Sequence, residues 1–256
     1  MIDYHRQRLV YSANYFKWEE CKSHPSLKNL ESWEDYLFSS VKSWQDGNSI
    51  LKETPLKLRV AMRPSSEHTN DTLFGTHELI RIEMSPVGMG QLDTFFPYLL
   101  NLRDGSEHEK TCYRVIVDYI PTNISHFTWL KTGKREHYNA ARDRMAAILQ
   151  TLRSQEKDAD TTAVTRNCEV LLFNPNGEIT EASIASVYFF RGGKLVTPPI
   201  GPEYGGLSGT ARRWALERGL CGEQVVRRED VVEGEMVWLS NGVQGFVPGM
   251  IVWNRG

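Results

Sequence analysis

The sequence is poor in several features that would assign a protein quickly. Cysteine is scarce: Cys21, Cys112, Cys168 and Cys221 are the four in 256 residues, with no C-x-x-C pair. They are too sparse for a disulfide framework, which fits a reducing compartment and an expected cytoplasmic location. Net charge is nearly absent as well. Thirty Lys and Arg stand against 32 Asp and Glu, a formal charge of -2, so no global basic field draws in nucleic acid or an anionic membrane. A small anionic ligand would need local cations. No apolar run approaches the ~18–20 residues that cross a bilayer, and MIDYHRQRLVYSANYF lacks the apolar core of a signal peptide. Internal repeats and low-complexity segments are missing too.

What is present is a mixed pattern of helix and strand periodicities. RQRLVYSANYFKW places Leu9, Ser12, Ala13 and Phe16 at helical spacing, and SLKNLESWEDYLFSSVKSW does the same with Leu30, Trp33, Leu37 and Val41. LKLRVAM, THELIRIEM and YRVIVDYI read as strands. PTNISHF breaks both periodicities and is read as an interdomain linker, giving a smaller domain over 1–121, a linker over 122–128 and a larger domain over 129–256. In the second half a strand-like entry over Phe127 to Leu130 precedes Lys131, and a long helix follows with Tyr138, Ala141, Met145 and Ile148 on one face. CEVLLFN, the NPNG turn, SVYFF pairing back, a Gly-Gly turn and KLVTPP make a meander. LSGTARRWALERG is a helix stopped by Gly219, and EMVWLSN and FVPGMIVW are closing strands. The expected class is α+β in two unequal domains, an arrangement that suggests a cleft for a small-molecule substrate.

Three groups in the second half carry chemistry. Lys131, at the end of an aromatic run, is placed where a less polar setting would lower its ammonium pKa, the condition for a Schiff-base amine. Leu207-Ser208-Gly209-Thr210-Ala211 opens a helix and offers backbone N–H groups, a dipole and hydroxyls to a phosphate. Glu181, alone at the start of an apolar strand, is suited to hold a proton on a heteroaromatic nitrogen through a charge-assisted hydrogen bond. An amine for an aldehyde, a phosphate cradle and an acid for a pyridine nitrogen are the three handles of pyridoxal 5′-phosphate (PLP).

The same residues resemble the fold-type IV PLP enzymes, which include branched-chain and D-amino-acid aminotransferases and aminodeoxychorismate lyases. The resemblance rests on Glu181-Ala-Ser-Ile-Ala-Ser186-Val-Tyr-Phe, Thr197-Pro198 and Leu207-Ser-Gly209-Thr-Ala-Arg212. It extends to Lys131-Thr132 with Arg135, Tyr138 and Ala141, and to His5-x-x-Arg8-Leu9. It implies a homodimer with Lys131 as the Schiff-base lysine and Glu181 on the ring nitrogen. Arg8, Gly209, Thr210, Ala211 and the Ser240–Asn241 turn would hold the phosphate, and Ser186 stands where the family usually has Asn. It also implies a shortened N-terminal part, because family members carry a strand and turn before the H-x-x-R-L helix while Met1 stands four residues before His5.

KTxxRxxYxxAR, from Lys131 to Arg142, and SNGVQGFVPG, from Ser240 to Gly249, are most similar to fungal-type aminodeoxychorismate lyases. That subgroup implies PLP-dependent elimination of pyruvate from aminodeoxychorismate to give 4-aminobenzoate, a step of folate synthesis. An amino-acid aminotransferase using the same Lys131 and Glu181 is the alternative within enzymes. A non-catalytic PLP-binding homologue is the alternative outside them. His126 and His137 flank the lysine with no acid or cysteine at metal-ligand spacing and are read as packing or surface residues.

Overall fold

The computed structural model describes residues 1–65, 78–87, 112–155 and 167–252, and it divides into two units, Met1–Leu92 and Asp93–Gly256. The stretch QEKDADTT, which its charge and lack of periodicity mark as a loop, lies almost wholly outside the described residues. In the first unit α1 (Ile2–Tyr15), α2 (Glu19–Lys22) and α3 (Leu30–Asn48) accompany an antiparallel pair, β1 (Leu56–Met62) and β2 (Ile80–Pro86). Asn29 starts α3 by accepting a hydrogen bond from the Ser32 N–H at 2.8 Å, and Ser49 ends it in the left-handed region at φ 51°. A two-stranded sheet is marginal by itself. Trp33 and Leu37 of α3, with Leu27, bury against Ile80 of β2 and supply the missing core.

The second unit is built on a sheet in the order β5-β4-β3-β10-β9-β6-β7-β8. Its strands are β3 (Tyr113–Val117), β4 (Cys168–Phe173), β5 (Ile179–Ala182), β6 (Ser186–Arg191), β7 (Lys194–Thr197), β8 (Gly222–Glu223), β9 (Met236–Asn241) and β10 (Gly245–Val252). β3 and β4 are parallel neighbours joined by a crossover that contains α4 (His126–Trp129) and α5 (Glu136–Gln155). β4 is buried at every position, as expected for a strand covered on both faces. Cys168, Val170 and Leu172 pack with Tyr138, Ala141, Met145, Ile148 and Leu149 of α5, whereas Leu171 and Phe173 join the core on the other face. Each of the larger apolar side chains contributes about 1.5–3 kcal/mol by leaving water. α6 (Thr210–Glu217) packs Ala215 against Tyr188, Leu195, Trp238 and Phe246.

Three expectations need correction. The division falls at residue 92 rather than after 121, because the strand Tyr113–Val117 hydrogen-bonds into the larger sheet between β10 and β4. The stretch entering Lys131 is helical rather than extended, since Ser125 and Thr128 form a capping box that starts α4 within the expected linker. SVYFF does not pair back onto CEVLLFN. The tight turn at Asn174, whose Oδ1 accepts from the N–H groups of Asn176 and Glu178, returns Ile179–Ala182 to β4 first. Ser186–Arg191 then pairs with β9 and β7.

Candidate active site

Strand register explains why Glu181 occupies an apolar strand. Its cross-strand partner is Leu172, so both side chains share the sheet face covered by α5. Glu181 is 6% exposed and accepts a hydrogen bond from Tyr138 Oη at 2.6 Å. The backbone N–H of Leu207 donates to the same carboxylate. Among the described residues no cation stands at ion-pair distance from it. Burial pushes the carboxyl up to about 7, against the downward pull of Tyr138, Leu207, and the more distant charges of Lys131 and Arg135. Burial and then the Glu181 charge raise the Tyr138 phenol far above its ordinary value, so it remains a donor.

The segment KTxxRxxYxxAR has a structural reason for its spacing. Arg135, Tyr138 and Arg142 are three and seven residues apart at the start of α5, on one helical face. Arg135 donates to the Ser183 carbonyl at 2.8 Å and Arg142 to Ser183 Oγ at 3.0 Å, so the two arginines clamp the turn that follows Glu181. Arg135 also stacks over the Tyr138 ring at 4.5 Å. Lys131 is exposed at the entry to this helix, and the next residue, Thr132, has a buried hydroxyl with no hydrogen-bond partner among the described residues.

The other expected residues gather along one short segment. Leu207 reaches Glu181, and two residues later Gly209 lies against Ser186, where an added Cβ would come within 2.6 Å of Ser186 Oγ. Ser186 in turn pairs across the sheet with Ser240, whose hydroxyl is 2.7 Å from Tyr188 Oη. Gly209 is the N-cap of α6 and has no side chain to accept from the first-turn N–H groups; Thr210 and Ala211 follow, both buried. Asn241 is different. Its Oδ1 accepts from the N–H groups of Val243 and Gln244 and its amide donates to Gln244, so its side chain is spent on forming the turn.

Arg8 belongs to the first unit, on α1, with its guanidinium 3.3 Å from His5 Nδ1, which accounts for the H-x-x-R spacing. Burial lowers its pKa to about 10, leaving it cationic at neutral pH. Arg212 ties α6 to the Pro198 carbonyl and to Glu223 and is 5% exposed, a structural residue of the helix.

A buried acid lacking a cation, an accessible amine acting on it, an orphaned hydroxyl beside that amine and a bare helix N-terminus fit a phosphorylated pyridine aldehyde. The description amino-transferase class IV matches residues 79–250. The chain belongs to the amino-transferase class IV family. That family is PLP-dependent, and its fold, fold-type IV, is the α+β fold seen here. The chain is 29% identical over 265 residues to the aminodeoxychorismate lyase of Saccharomyces cerevisiae, an alignment spanning 98% of this chain and 67% of that protein. A fold IV transaminase from Curtobacterium pusillum superposes with a TM-score of 0.59 at 15% identity, covering 100% of this chain and 75% of the other. The PLP-bound form of a hypothetical aminotransferase from Mycobacterium tuberculosis does so at 0.58 and 17%, covering 98% and 76%.

The sequence names Glu181, Lys131 and the Gly209 segment as candidates and places Tyr138 on the core face of the helix and in the KTxxRxxYxxAR segment, without pairing it with Glu181. Seven residues separate it from Lys131, and that spacing signals no contact with Glu181 until the β4–β5 register is known.

Proposed function

We propose that this protein is an aminodeoxychorismate lyase, eliminating pyruvate from 4-amino-4-deoxychorismate to leave 4-aminobenzoate for folate synthesis. The observation that carries the reading is the similarity to the yeast lyase along 98% of the chain. The buried Glu181 carboxyl supports PLP as the cofactor. When bound, PLP supplies an electron-withdrawing ring that delocalises the charge left as a proton departs from the substrate carbon.

The chain's own residues then have distinct tasks. Glu181 would hold a proton on the ring nitrogen, a cationic partner for a carboxylate that burial leaves without one. Lys131 would anchor the cofactor through its amine, take the proton from the substrate carbon and return one to the departing enolpyruvyl group. The first-turn N–H groups at Thr210 and Ala211 would hold the phosphate, because a helix N-terminus suits phosphate oxygens; Arg8, with a guanidinium fork of the kind that matches phosphate, is the residue to which the family resemblance gives the same task. Gly209 allows close approach beside Ser186, and the Ser240–Asn241 turn contributes through its backbone. The reading carries with it a cytoplasmic homodimer.

The test is to reconstitute the purified chain with PLP, add freshly generated aminodeoxychorismate, and measure both products beside a Lys131→Ala control. Equal amounts of 4-aminobenzoate and pyruvate, lost in the control, are expected. A keto acid formed from an amino-acid donor, with no 4-aminobenzoate, would replace this reading by an aminotransferase.

A further inference from the structure

Beside Glu181, within the second unit, lies a small, partly open cavity of ≈ 10 Å³ lined by Thr122, Thr128, His137, Thr180, Glu181 and Gly205, among others. That volume suits a single water molecule and nothing larger. The cavity has a donor to satisfy. His137 Nε2 is buried and has no hydrogen-bond partner among the described residues, although a buried polar nitrogen without one is costly. Two of the lining hydroxyls are engaged elsewhere, since Thr128 Oγ1 donates to the Ser125 carbonyl and Thr180 Oγ1 to the Leu172 carbonyl. Gly205 helps to keep the space open, because a Cβ there would stand 3.5 Å from Thr128 Oγ1 and 3.8 Å from the Thr180 methyl.

We propose that this cavity is the site of one ordered water that accepts a hydrogen bond from His137 Nε2 and donates one to the Glu181 carboxylate, making His137 a positioning residue for Glu181. The carboxylate is then held from three directions, by the Tyr138 phenol, the Leu207 N–H and the water. The imidazole is neutral, since burial and the nearby Arg135 charge both oppose its protonation and only Glu136 favours it. The other ionisable groups acting on Glu181 are Tyr138, Lys131 and Arg135. The significance of this water for catalysis rests on the reading of Glu181 as the partner of the ring nitrogen; the water site itself does not.

The test is made on the chain without PLP, so its outcome is separate from the appearance of 4-aminobenzoate. A high-resolution crystal structure is expected to show a water within ~2.6–3.2 Å of both His137 Nε2 and a Glu181 oxygen. A cavity without density, or a water reaching neither group, would overturn the proposal. Carbon-detected NMR of the glutamate carboxyls, with the Glu181 signal assigned by its loss in Glu181→Gln, gives the second readout. His137→Leu is expected to raise the Glu181 midpoint by roughly one pKa unit, because the carboxylate loses a donor. His137→Gln, which keeps a donor at that place, is expected to restore most of it. An unchanged midpoint in a folded His137→Leu protein would sink the idea, and so would a His137→Gln midpoint that moves as far as that of His137→Leu.

Discussion

Two glutamates on adjacent strands of the same sheet are both removed from solvent, Glu169 on β4 at 0% exposure and Glu181 on β5 at 6%, yet they live in opposite surroundings. Glu169 accepts from the N–H groups of Val170, Ser183 and Ile184 and from Ser183 Oγ, with Arg142 Nη1 3.6 Å away. Burial still pushes its carboxyl above the ordinary value, but those donors and the arginine work against the shift. Glu181 has a phenol, one N–H and, among the described residues, no ion pair. A buried acid surrounded by donors builds a turn; one that is short of a cation is prepared to receive one. Burial alone therefore does not mark a ligand site. The number of partners does.

The largest effect that would test this contrast is structural. Glu169→Ala takes the acceptor from the Val170 and Ile184 N–H groups and from the Ser183 hydroxyl, while the Ser183 N–H keeps the Val170 carbonyl and Arg142 keeps Ser183 Oγ, and is expected to lower unfolding stability by about 3–5 kcal/mol, read from urea titration. A loss below about 1 kcal/mol would mean that the donors around Glu169 do not hold the turn.

Glu181→Gln is expected to act in the other direction on the chain without cofactor. The folded-state pKa is raised to about 7 from 4.5, so the folded chain keeps a proton that the unfolded chain loses between those values. The stability that this proton supplies is complete below 4.5 and is lost as pH rises through 7. Glutamine has no such proton to lose. The variant should thus be more stable than the parent at pH 8, by up to ~3 kcal/mol, and the advantage should vanish near pH 4. Urea titrations at three pH values measure it, and a variant less stable at pH 8 would contradict the picture of an acid lacking a cation.

Tyr138→Phe is the smallest of the three changes. It removes one hydrogen bond to Glu181, costs about 1 kcal/mol, and moves the carboxyl midpoint further upward, visible as a pH dependence of stability shifted to higher pH. If the midpoint falls instead, the phenol is not a donor.

Much of this arrangement is legible in the sequence where one residue pattern carries one meaning. The stripe Tyr138, Ala141, Met145 and Ile148 gives α5 because it repeats at helical spacing and ends up buried. The Gly209 segment is readable because a helix start with small residues has few other uses. The errors lie where pairing is non-local. An apolar run such as SVYFF can join any neighbouring strand, and the shortness of the Asn174 turn decides that Ile179–Ala182 reaches β4 first. Tyr113–Val117 stands among residues of the first half of the chain, yet it pairs with strands ending at residues 173 and 252. The burial of Arg212 is likewise non-local, since it depends on the approach of Pro198 and Glu223.

The stretch from Leu207 to Gly209 touches Glu181 at one end and Ser186 at the other, with the first turn of α6 immediately beyond. Such a stretch works as a ruler. Its graduations are peptide units of fixed length, so on the proposed reading the separation between a ring nitrogen at Glu181 and a phosphate at the start of α6 would be set by residue count rather than by any side chain. Side-chain drift along the segment can retune affinity. Inserting or deleting one residue would change which molecule fits.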